Sequence, residues 1–278
     1  MSDLDAFLED DACSRGVVRK ECSTALSPSR LPGLDLALNP YTRCGHDCTY
    51  CYAPYIMRVS PSEWGGKVQA KVNIPKVLAK ELPRKKGVIG LGTVTDPYQP
   101  VERELRLTRR CLEEMVKVPT KVSVLTKSDL VVRDIDLLLR IEDAEVGITV
   151  NTTSDRAAAV FEACAPPPSR RLAALSALVA SGVRTYVFLG PIIPSITDED
   201  VGTLVNAIAT TGVRRIMVDR LNLRPGMRAR MEAVLEQRAP DLLLAFRYDV
   251  GSPDFYGNAI SAVRARCREQ GITCQDAF

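Results

Sequence analysis

Three cysteines of the chain have a spacing suited to a shared metal centre. Cys44, Cys48 and Cys51 follow one another at i, i+4 and i+7, in a stretch flanked by Pro40 and Pro54. The prolines favour a loop over a helix, and a loop can wrap three thiolates around one centre. The spacing departs from the common zinc patterns, which need a fourth Cys or His at a matching distance. Three thiolates on an iron–sulfur cube would instead leave one iron open for chemistry.

His46 is the single histidine of the chain, and it lies between the first two of these cysteines. Its imidazole could ligate a metal, but a loop position near the metal centre is the simpler interpretation. With one histidine, Ser-His and Cys-His nucleophilic catalysis is nearly excluded. A non-catalytic iron–sulfur or zinc-binding protein is the alternative to an enzyme.

The cysteine loop and several later motifs resemble those of radical S-adenosylmethionine (SAM) enzymes. The Cys44-x3-Cys48-x2-Cys51 pattern, with Tyr50 before the third cysteine, is similar to the cluster loop of that superfamily. Further motifs narrow the resemblance to the spore photoproduct lyase-like branch. They are Leu38-Asn39-Pro40-Tyr41, Cys51-Tyr52-Ala53-Pro54, Gly92-Thr93-Val94-Thr95-Asp96-Pro97-Tyr98-Gln99-Pro100, Thr126-Lys127-Ser128, Ala165-Pro166-Pro167-Pro168 and Gly190-Pro191-Ile192-Ile193-Pro194.

The resemblance implies that Cys44, Cys48 and Cys51 hold a [4Fe–4S] cluster whose fourth iron binds SAM. An electron from the cluster would cleave a carbon–sulfur bond of SAM, and the 5′-deoxyadenosyl radical would abstract hydrogen from a substrate. The cofactors then carry the hard chemistry, while the protein positions them and excludes water. Such an enzyme needs a reductant, such as flavodoxin or ferredoxin.

The resemblance also suggests which residues would contact SAM. Lys127 matches the lysine that binds the SAM carboxylate in this branch, and Thr149 and Asn151 match ribose and methionyl contacts by position. The usual two-glycine-plus-acid motif is absent, so residues of the 92–96 loop would replace it. The full set is Tyr50, Tyr52, Gly92, Thr93, Thr95, Asp96, Lys127, Thr149, Asn151 and Ile192. Core packing is the alternative for the tyrosines and Ile192, and a solvated loop position is the alternative for Lys127.

The substrate is less well defined by the sequence. In spore photoproduct lyase, a cysteine in the loop after the second strand returns hydrogen to the product, whereas residues 92–96 contain no cysteine. This argues against the lyase reaction itself and leaves Tyr98 as the candidate hydrogen donor. Arg220 and Arg224 could hold an anionic substrate, including nucleic acid. A peptide or small metabolite is the alternative substrate. The other clustered arginines, including Arg228 and Arg230, are interpreted as solvated helix faces, with phosphate contacts as the alternative.

Apolar strand-like stretches alternate with stretches of helical spacing along the chain. Strand–helix units in one direction predict a parallel sheet, and right-handed crossovers curl such a sheet toward a barrel. We therefore predict an α/β fold with a partial, TIM-like (β/α)6 barrel, which is also the fold that the resemblance implies. The predicted strands are 34–38, 87–92, 121–125, 145–150, 185–189 and 215–218, and the predicted helices are 68–82, 102–118, 133–141, 156–163, 170–181, 198–209, 227–237 and 259–268.

Polar motifs cluster at the carboxyl ends of these strands, where barrel active sites form. We predict an N-terminal extension over residues 1–30, the barrel over 31–240, and a C-terminal extension over 241–278 that packs on the barrel. The apolar run 243–246 falls in this last part.

The composition is that of an ordinary soluble globular protein. Of the 278 residues, 46% are hydrophobic and 26% charged, and the net charge of +3 does not by itself imply nucleic acid. Because no membrane-length apolar stretch and no signal-peptide pattern occur, we expect a cytoplasmic protein without membrane association.

The remaining cysteines have no closely spaced partners. In a cytoplasmic chain, the nine cysteines are expected to be reduced, metal-bound or buried rather than paired in disulfides. Cys13, Cys22, Cys267 and Cys274 are interpreted as ordinary thiols, with an auxiliary cluster as the alternative.

Overall fold

The computed structural model describes residues 13, 16–197, 201–252 and 254–277. The strands are β1 (Val17–Lys20), β2 (Leu26–Pro28), β3 (Leu36–Leu38), β4 (Tyr41–Thr42), β5 (Val68–Lys71), β6 (Val88–Leu91), β7 (Lys121–Thr126), β8 (Asp143–Thr149), β9 (Arg184–Ile192), β10 (Arg215–Arg220) and β11 (Thr273–Asp276). The helices are α1 (Ala53–Met57), α2 (Pro61–Trp64), α3 (Ile74–Glu81), α4 (Glu102–Leu105), α5 (Leu107–Met115), α6 (Ile135–Leu138), α7 (Asp155–Phe161), α8 (Pro168–Ala180), α9 (Val201–Thr210), α10 (Met227–Arg238), α11 (Leu243–Asp249) and α12 (Phe255–Glu269).

One large sheet forms the centre of the fold, with the strand order β11-β10-β9-β8-β7-β6-β3-β2. The pairs from β3 through β11 are parallel, and β2 runs antiparallel to β3. Six of the parallel strands (β3, β6, β7, β8, β9 and β10) are the six that the sequence predicts, and helices lie between them along the chain. The predicted α/β arrangement of six strand–helix units is therefore confirmed.

The core lies between this sheet and its helices. Val124, Ile148 and Leu189 are fully buried on adjacent strands, and Leu175 and Leu204 bury their side chains from α8 and α9. A parallel sheet covered by helices has its strand interiors filled with apolar residues. Polar side chains therefore gather at the strand ends, where the candidate site lies.

The helix predicted over 68–82 is wrong in its first part. Residues Val68–Lys71 form β5, which pairs with β1 and β4 in a separate three-stranded sheet, and only Ile74–Glu81 are helical. Burial in β5 alternates, which is the period of a strand. Pro75 lies in the first turn of α3, where proline is tolerated.

The helix predicted over 102–118 is interrupted at Arg106, whose φ is 50°. The fully buried Glu102 side chain explains the break, because it accepts hydrogen bonds from the backbone N–H groups of Thr108 (2.9 Å) and Arg109 (3.3 Å). The carboxylate thus satisfies free donors at the start of α5. The result is two helices, α4 and α5, in place of one.

Two more segments differ from their predicted form. The helix predicted over 133–141 is a 3₁₀ helix, Asp129–Asp134, followed by the short α6. The apolar run 243–246 belongs to α11, and strand β11 follows α12 without having been predicted. The N-terminal extension falls in part on residues 1–12, 14 and 15, and the helix predicted over 198–209 begins on residues 198–200; these lie outside the described residues.

The remaining cysteines are distributed across the molecule. Cys13 and Cys164 form a disulfide with a Cα–Cα distance of 5.5 Å, so the expectation that the cysteines stay unpaired is wrong for these two. Cys267 and Cys274 lie close enough to shift each other's pKa, and Cys274 lies on β11 at one edge of the large sheet. Cys22 lies just before β2 at the opposite edge. The four candidates do not converge, and an auxiliary cluster on them is therefore wrong.

No helix in the described part of the chain combines the length and the apolar character needed to cross a membrane.

Candidate active site

The three cysteines of the central loop follow β3 and β4 at the carboxyl end of the parallel sheet. Cys44 and Cys51 share an apolar cluster with Trp64, and Cys48 packs against the cluster that contains Phe161. The N–H of Cys51 donates to the carbonyl oxygen of Cys48 at 3.0 Å, which closes a turn between the second and third cysteines.

Burial disfavours the ionised form of these three thiols. Burial raises the pKa of Cys44 to about 12 and also raises the pKa of Cys48 and Cys51. The thiols lie close enough to influence one another, since the charges of Cys44 and Cys51 contribute to the raised pKa of Cys48. The thiolate forms that bind a metal would therefore need a positive partner, and an iron–sulfur cluster would supply one.

The donor set fits a cluster better than a single ion. Among the described residues, no three His, Cys, Asp or Glu side chains converge tightly enough to hold one metal ion. A cube gives each cysteine a separate iron, so its ligands stand further apart than the ligands of one ion. Three cysteine thiols in one loop, without a fourth Cys or His at zinc spacing, are a donor set that a cluster with one open iron could use.

Two polar side chains that the sequence analysis missed fix the cysteine loop. Gln99 accepts a hydrogen bond from the Gly45 N–H at 2.7 Å and donates to the Arg43 carbonyl at 3.2 Å. Arg230 donates to the Thr49 carbonyl, through Nε at 2.9 Å and Nη2 at 2.5 Å. Gln99 falls within a recognised motif, whereas Arg230 was grouped with solvated helix faces, an interpretation that the structure contradicts.

Asp96 connects the cysteine loop with two strand ends. It lies 3.4 Å from His46 Nδ1, and it accepts hydrogen bonds from Thr126 Oγ1 at 2.6 Å and from the Lys127 N–H at 2.8 Å. Burial opposes its ionisation, but His46 and these hydrogen bonds lower the pKa of Asp96 to about 2. The Asp96 carboxylate is therefore an anion with a fixed position next to the cysteine loop. The buried His46 is one of its contacts.

Three predicted SAM contacts come together beside the cysteines. Lys127 Nζ lies 5.6 Å from the centre of the Tyr50 ring, and Asn151 Nδ2 lies 3.5 Å from the Tyr50 hydroxyl. Thr149 is buried at the end of β8, two residues before Asn151. The Asn151 Oδ1 atom is buried and has no hydrogen-bond partner in the described part of the chain.

Lys127 lies next to a buried ion pair. Glu162 and Arg171 are both almost completely buried, and an Arg171 N–H donates to the Glu162 carboxylate. The other Glu162 oxygen lies 4.0 Å from Lys127 Nζ, and Arg171 also donates to the Thr149 carbonyl at 3.2 Å. Glu162 follows an alanine-rich helix, and no local sequence pattern predicts that it forms an ion pair. The pair is therefore seen only in the folded structure.

The predicted residues of the 92–96 loop mainly hold the loop in place. Asn39 Nδ2 donates to Thr93 Oγ1 at 2.9 Å, and the exposed Tyr52 donates from its hydroxyl to the Thr93 carbonyl at 2.7 Å. The buried Thr95 donates to the Tyr41 carbonyl at 3.3 Å. These contacts tie the loop to β4 and to the end of the cysteine motif.

Gly92 is explained by backbone conformation. Its φ is +99°, and a Cβ there would lie 2.3 Å from the Leu125 carbonyl oxygen. Only glycine adopts this conformation readily. Glycine is thus required at position 92 because the backbone there passes close to β7, in addition to any contact with a ligand.

Tyr98 and Ile192 are packed in the main core. The Tyr98 ring is 1% exposed, with the Arg133 guanidinium 5.9 Å from its centre, and Ile192 is fully buried at the end of β9. The structure therefore places neither side chain among the polar groups around the cysteines. The hydrogen-donor role of Tyr98 stays a prediction.

A family model described as the Radical SAM superfamily matches residues 38–208, from β3 through most of α9. The chain belongs to the radical SAM superfamily. It is therefore a radical SAM enzyme, and membership implies SAM and an iron–sulfur cluster as cofactors.

Proteins with similar sequences occur in archaea, bacteria and a virus. An uncharacterized protein of Methanocaldococcus jannaschii is 33% identical over 185 residues, which cover 66% of this chain and 70% of the relative. An uncharacterized protein of Mycobacterium tuberculosis is 29% identical over 222 residues, covering 76% and 65%. A protein of Acidianus two-tailed virus is 28% identical over 205 residues, covering 68% and 67%.

The radical SAM fold of this chain is also similar to solved structures. Spore photoproduct lyase complexed with dinucleoside spore photoproduct has a TM-score of 0.71 and 15% identity, covering 94% of this chain and 82% of that one. Streptococcus suis SuiB bound to precursor peptide SuiA has a TM-score of 0.55 and 11% identity, covering 89% and 50%. At these identities the likeness is one of fold, and it confirms the lyase-like partial barrel.

Proposed function

We propose that the protein holds a [4Fe–4S] cluster on Cys44, Cys48 and Cys51 and cleaves SAM reductively, generating a 5′-deoxyadenosyl radical that abstracts hydrogen from a substrate. The observation that carries this proposal is the trio of buried and half-buried thiols in the family loop, next to Lys127 and Asn151 at the carboxyl ends of β7 and β8. A protein reductant such as flavodoxin or ferredoxin would supply the electron.

The residues around the cysteines could bind the polar parts of SAM. Lys127 would provide a cation for the carboxylate, and Tyr50 would border the ligand beneath it. Asn151 Oδ1 would accept a hydrogen bond from an ammonium or hydroxyl group of SAM. A buried acceptor without a donor costs about 1–3 kcal/mol, so a ligand donor at this atom would stabilise both partners. The buried Thr149 would contact SAM together with Asn151. The 92–96 loop, which contains Gly92, Thr93, Thr95 and Asp96, would fix the position of the cysteines.

The substrate that we propose is anionic, with nucleic acid as its first candidate. Arg220 and Arg224 are exposed at and after the end of β10. Their loop lies near the cysteines, because the hydroxyl of Tyr55 in α1 donates to the Pro225 carbonyl at 3.0 Å. The solved lyase of similar fold carries a dinucleoside ligand, which supports testing nucleic acid before peptides.

Anaerobic reconstitution with iron and sulfide tests the reaction. The wild type is reduced with dithionite in the presence of SAM, and 5′-deoxyadenosine is measured beside a Cys48→Ala control. We expect product from the wild type and a loss of it in the variant, because two thiolates cannot hold the cluster in its reactive form. A protein that binds zinc and no iron would refute the proposal.

Binding of short single-stranded and double-stranded DNA at increasing salt tests the substrate class. We expect Arg224→Ala to weaken binding and to reduce the slope of log K against log salt by about 0.7–0.9 for each lost phosphate contact. Arg268→Ala is the matched control, since Arg268 is exposed near the end of α12, at the amino end of the sheet. If the wild type, Arg224→Ala and Arg268→Ala all give the same slope of log K against log salt, a peptide or neutral metabolite is the better substrate class.

A further inference from the structure

Thr49 lies between two of the cluster cysteines, and its backbone is fixed from two sides. Its N–H donates to the Phe161 carbonyl at the end of α7 at 2.9 Å. Its carbonyl accepts two hydrogen bonds from one guanidinium, Arg230 Nε at 2.9 Å and Nη2 at 2.5 Å. Because Cys51 also bonds to the Cys48 carbonyl, the spacing of these two ligands is set by the folded protein.

Helix α10 presents Arg230 from a rigid position. Met227, Met231 and Leu235 of this helix are fully buried in the same apolar cluster as Phe161. A side chain held by a packed helix positions its partner more precisely than one on a loop.

The guanidinium of Arg230 places a positive charge next to two of the ligands. In the described part of the chain no carboxylate forms an ion pair with Arg230, whereas Arg228 on the same helix bonds to Glu232 at 2.8 Å. The half-buried Arg230 lines a cavity of about 520 Å³ together with Cys48 and Cys51. Asp47 and Arg238 line this cavity too, and none of the ten predicted SAM contacts does. The arginine therefore reaches the cysteines from a cavity that the predicted SAM residues do not line.

We propose that Arg230 is a positioning residue for the iron–sulfur cluster: it fixes the turn from Cys48 to Cys51 and favours the reduced cluster through its charge. Reduction adds one negative charge, which a nearby unpaired cation stabilises, so the reduction potential rises. The inference rests on the proposed function, because it needs a cluster on the three cysteines.

The test compares the reconstituted wild type with R230M, R230K and the control R228M. Iron content, the reduction potential from a titration followed by electron paramagnetic resonance, and the release of iron to a chelator are measured. We expect R230M to have a more negative potential and faster iron release. R230K should stay closer to the wild-type potential because it keeps the charge, and R228M should match the wild type.

A wild-type potential in R230M overturns the inference. If R230M fails to load iron, R230K decides: a potential near the wild type supports the role of the charge, and a clearly more negative one contradicts it. Loss of the fold in both Arg230 variants, seen by circular dichroism, also overturns the inference, because Arg230 would then hold the fold and not the cluster. A wild type that loads no iron refutes the proposed function before Arg230 is in question.

Discussion

The charged residues next to the cysteines are held by contacts with other protein side chains. Asp96 is paired with His46, and Glu162 lies between Arg171 and Lys127. Buried charges require such partners, since transfer from water into the interior is costly. Lys127 therefore already contacts the carboxylates of Asp96 and Glu162 before a ligand binds.

The Glu162–Arg171 pair gives a prediction on stability. Glu162→Gln leaves the fully buried Arg171 without its counter-charge, and breaking a buried pair from one side costs about 3–5 kcal/mol. We expect a decrease of this size in the free energy of unfolding, measured by urea denaturation. The double variant E162L/R171M should recover much of it, because the fully buried guanidinium is removed and the remaining cation, Lys127, is partly exposed. A change of less than about 0.5 kcal/mol in E162Q, typical of surface substitutions, would contradict this account.

At the level of elements, side chains hold the edges of the sheet as well as the site. Glu81 on α3 accepts hydrogen bonds from the backbone N–H groups of Ala25 (3.3 Å) and Leu26 (2.8 Å), and Lys85 donates to it at 2.9 Å. The carboxylate thereby joins α3 to the edge strand β2. Partial burial opposes its ionisation, but the bonds from Leu26, Lys85 and Ala25 lower the pKa of Glu81 below its usual value.

This lowered pKa gives the sign of a pH effect. A carboxylate with a lower pKa in the folded state stabilises the protein above its unfolded pKa of about 4.3, and this contribution is lost as pH falls through the folded pKa. We therefore expect Glu81→Gln to be less stable than the wild type at pH 7, with a difference that narrows below about pH 4.3. Urea unfolding over this pH range measures the difference. Glu142→Gln is the control, since Glu142 is exposed; the same pH profile in both variants would argue against the capping role of Glu81.

For the whole molecule, the Cys13–Cys164 disulfide joins parts of the chain that are 151 residues apart. It connects the segment before β1 to the loop after α7, and both cysteines line the cavity that contains Cys48 and Cys51. The bond thus adds a covalent constraint near the cysteine loop. Disulfides of this kind stabilise folded proteins by about 2–4 kcal/mol.

The effect of removing this disulfide on the melting temperature should depend on redox conditions. We expect Cys164→Ser to lower the melting temperature relative to the wild type under oxidising conditions and to match it when both are kept reduced. Peptide mapping without reductant should recover Cys13 linked to Cys164. Free alkylation of both thiols in protein purified without reductant would show that the bond does not form in solution.

The sequence by itself determined the features that depend on a few neighbouring residues. The spacing of Cys44, Cys48 and Cys51 depends on local order, and so do the six apolar strands and the polar motifs that end them. Periodicity was less reliable where two patterns overlap, as in residues 68–82, because a strand and a helix can bury some of the same positions.

Only the tertiary structure decided which distant side chains support the site. Arg230 reaches Thr49 across 181 residues of sequence, and Asn151 approaches Tyr50 across 101. Arginine on an amphipathic helix is usually solvated, so its partner is set by which helix packs beside the loop and at what angle. Glu162, Arg230 and the disulfide therefore became visible only when the helices were placed around the sheet, because a local pattern carries no information about a contact made by packing.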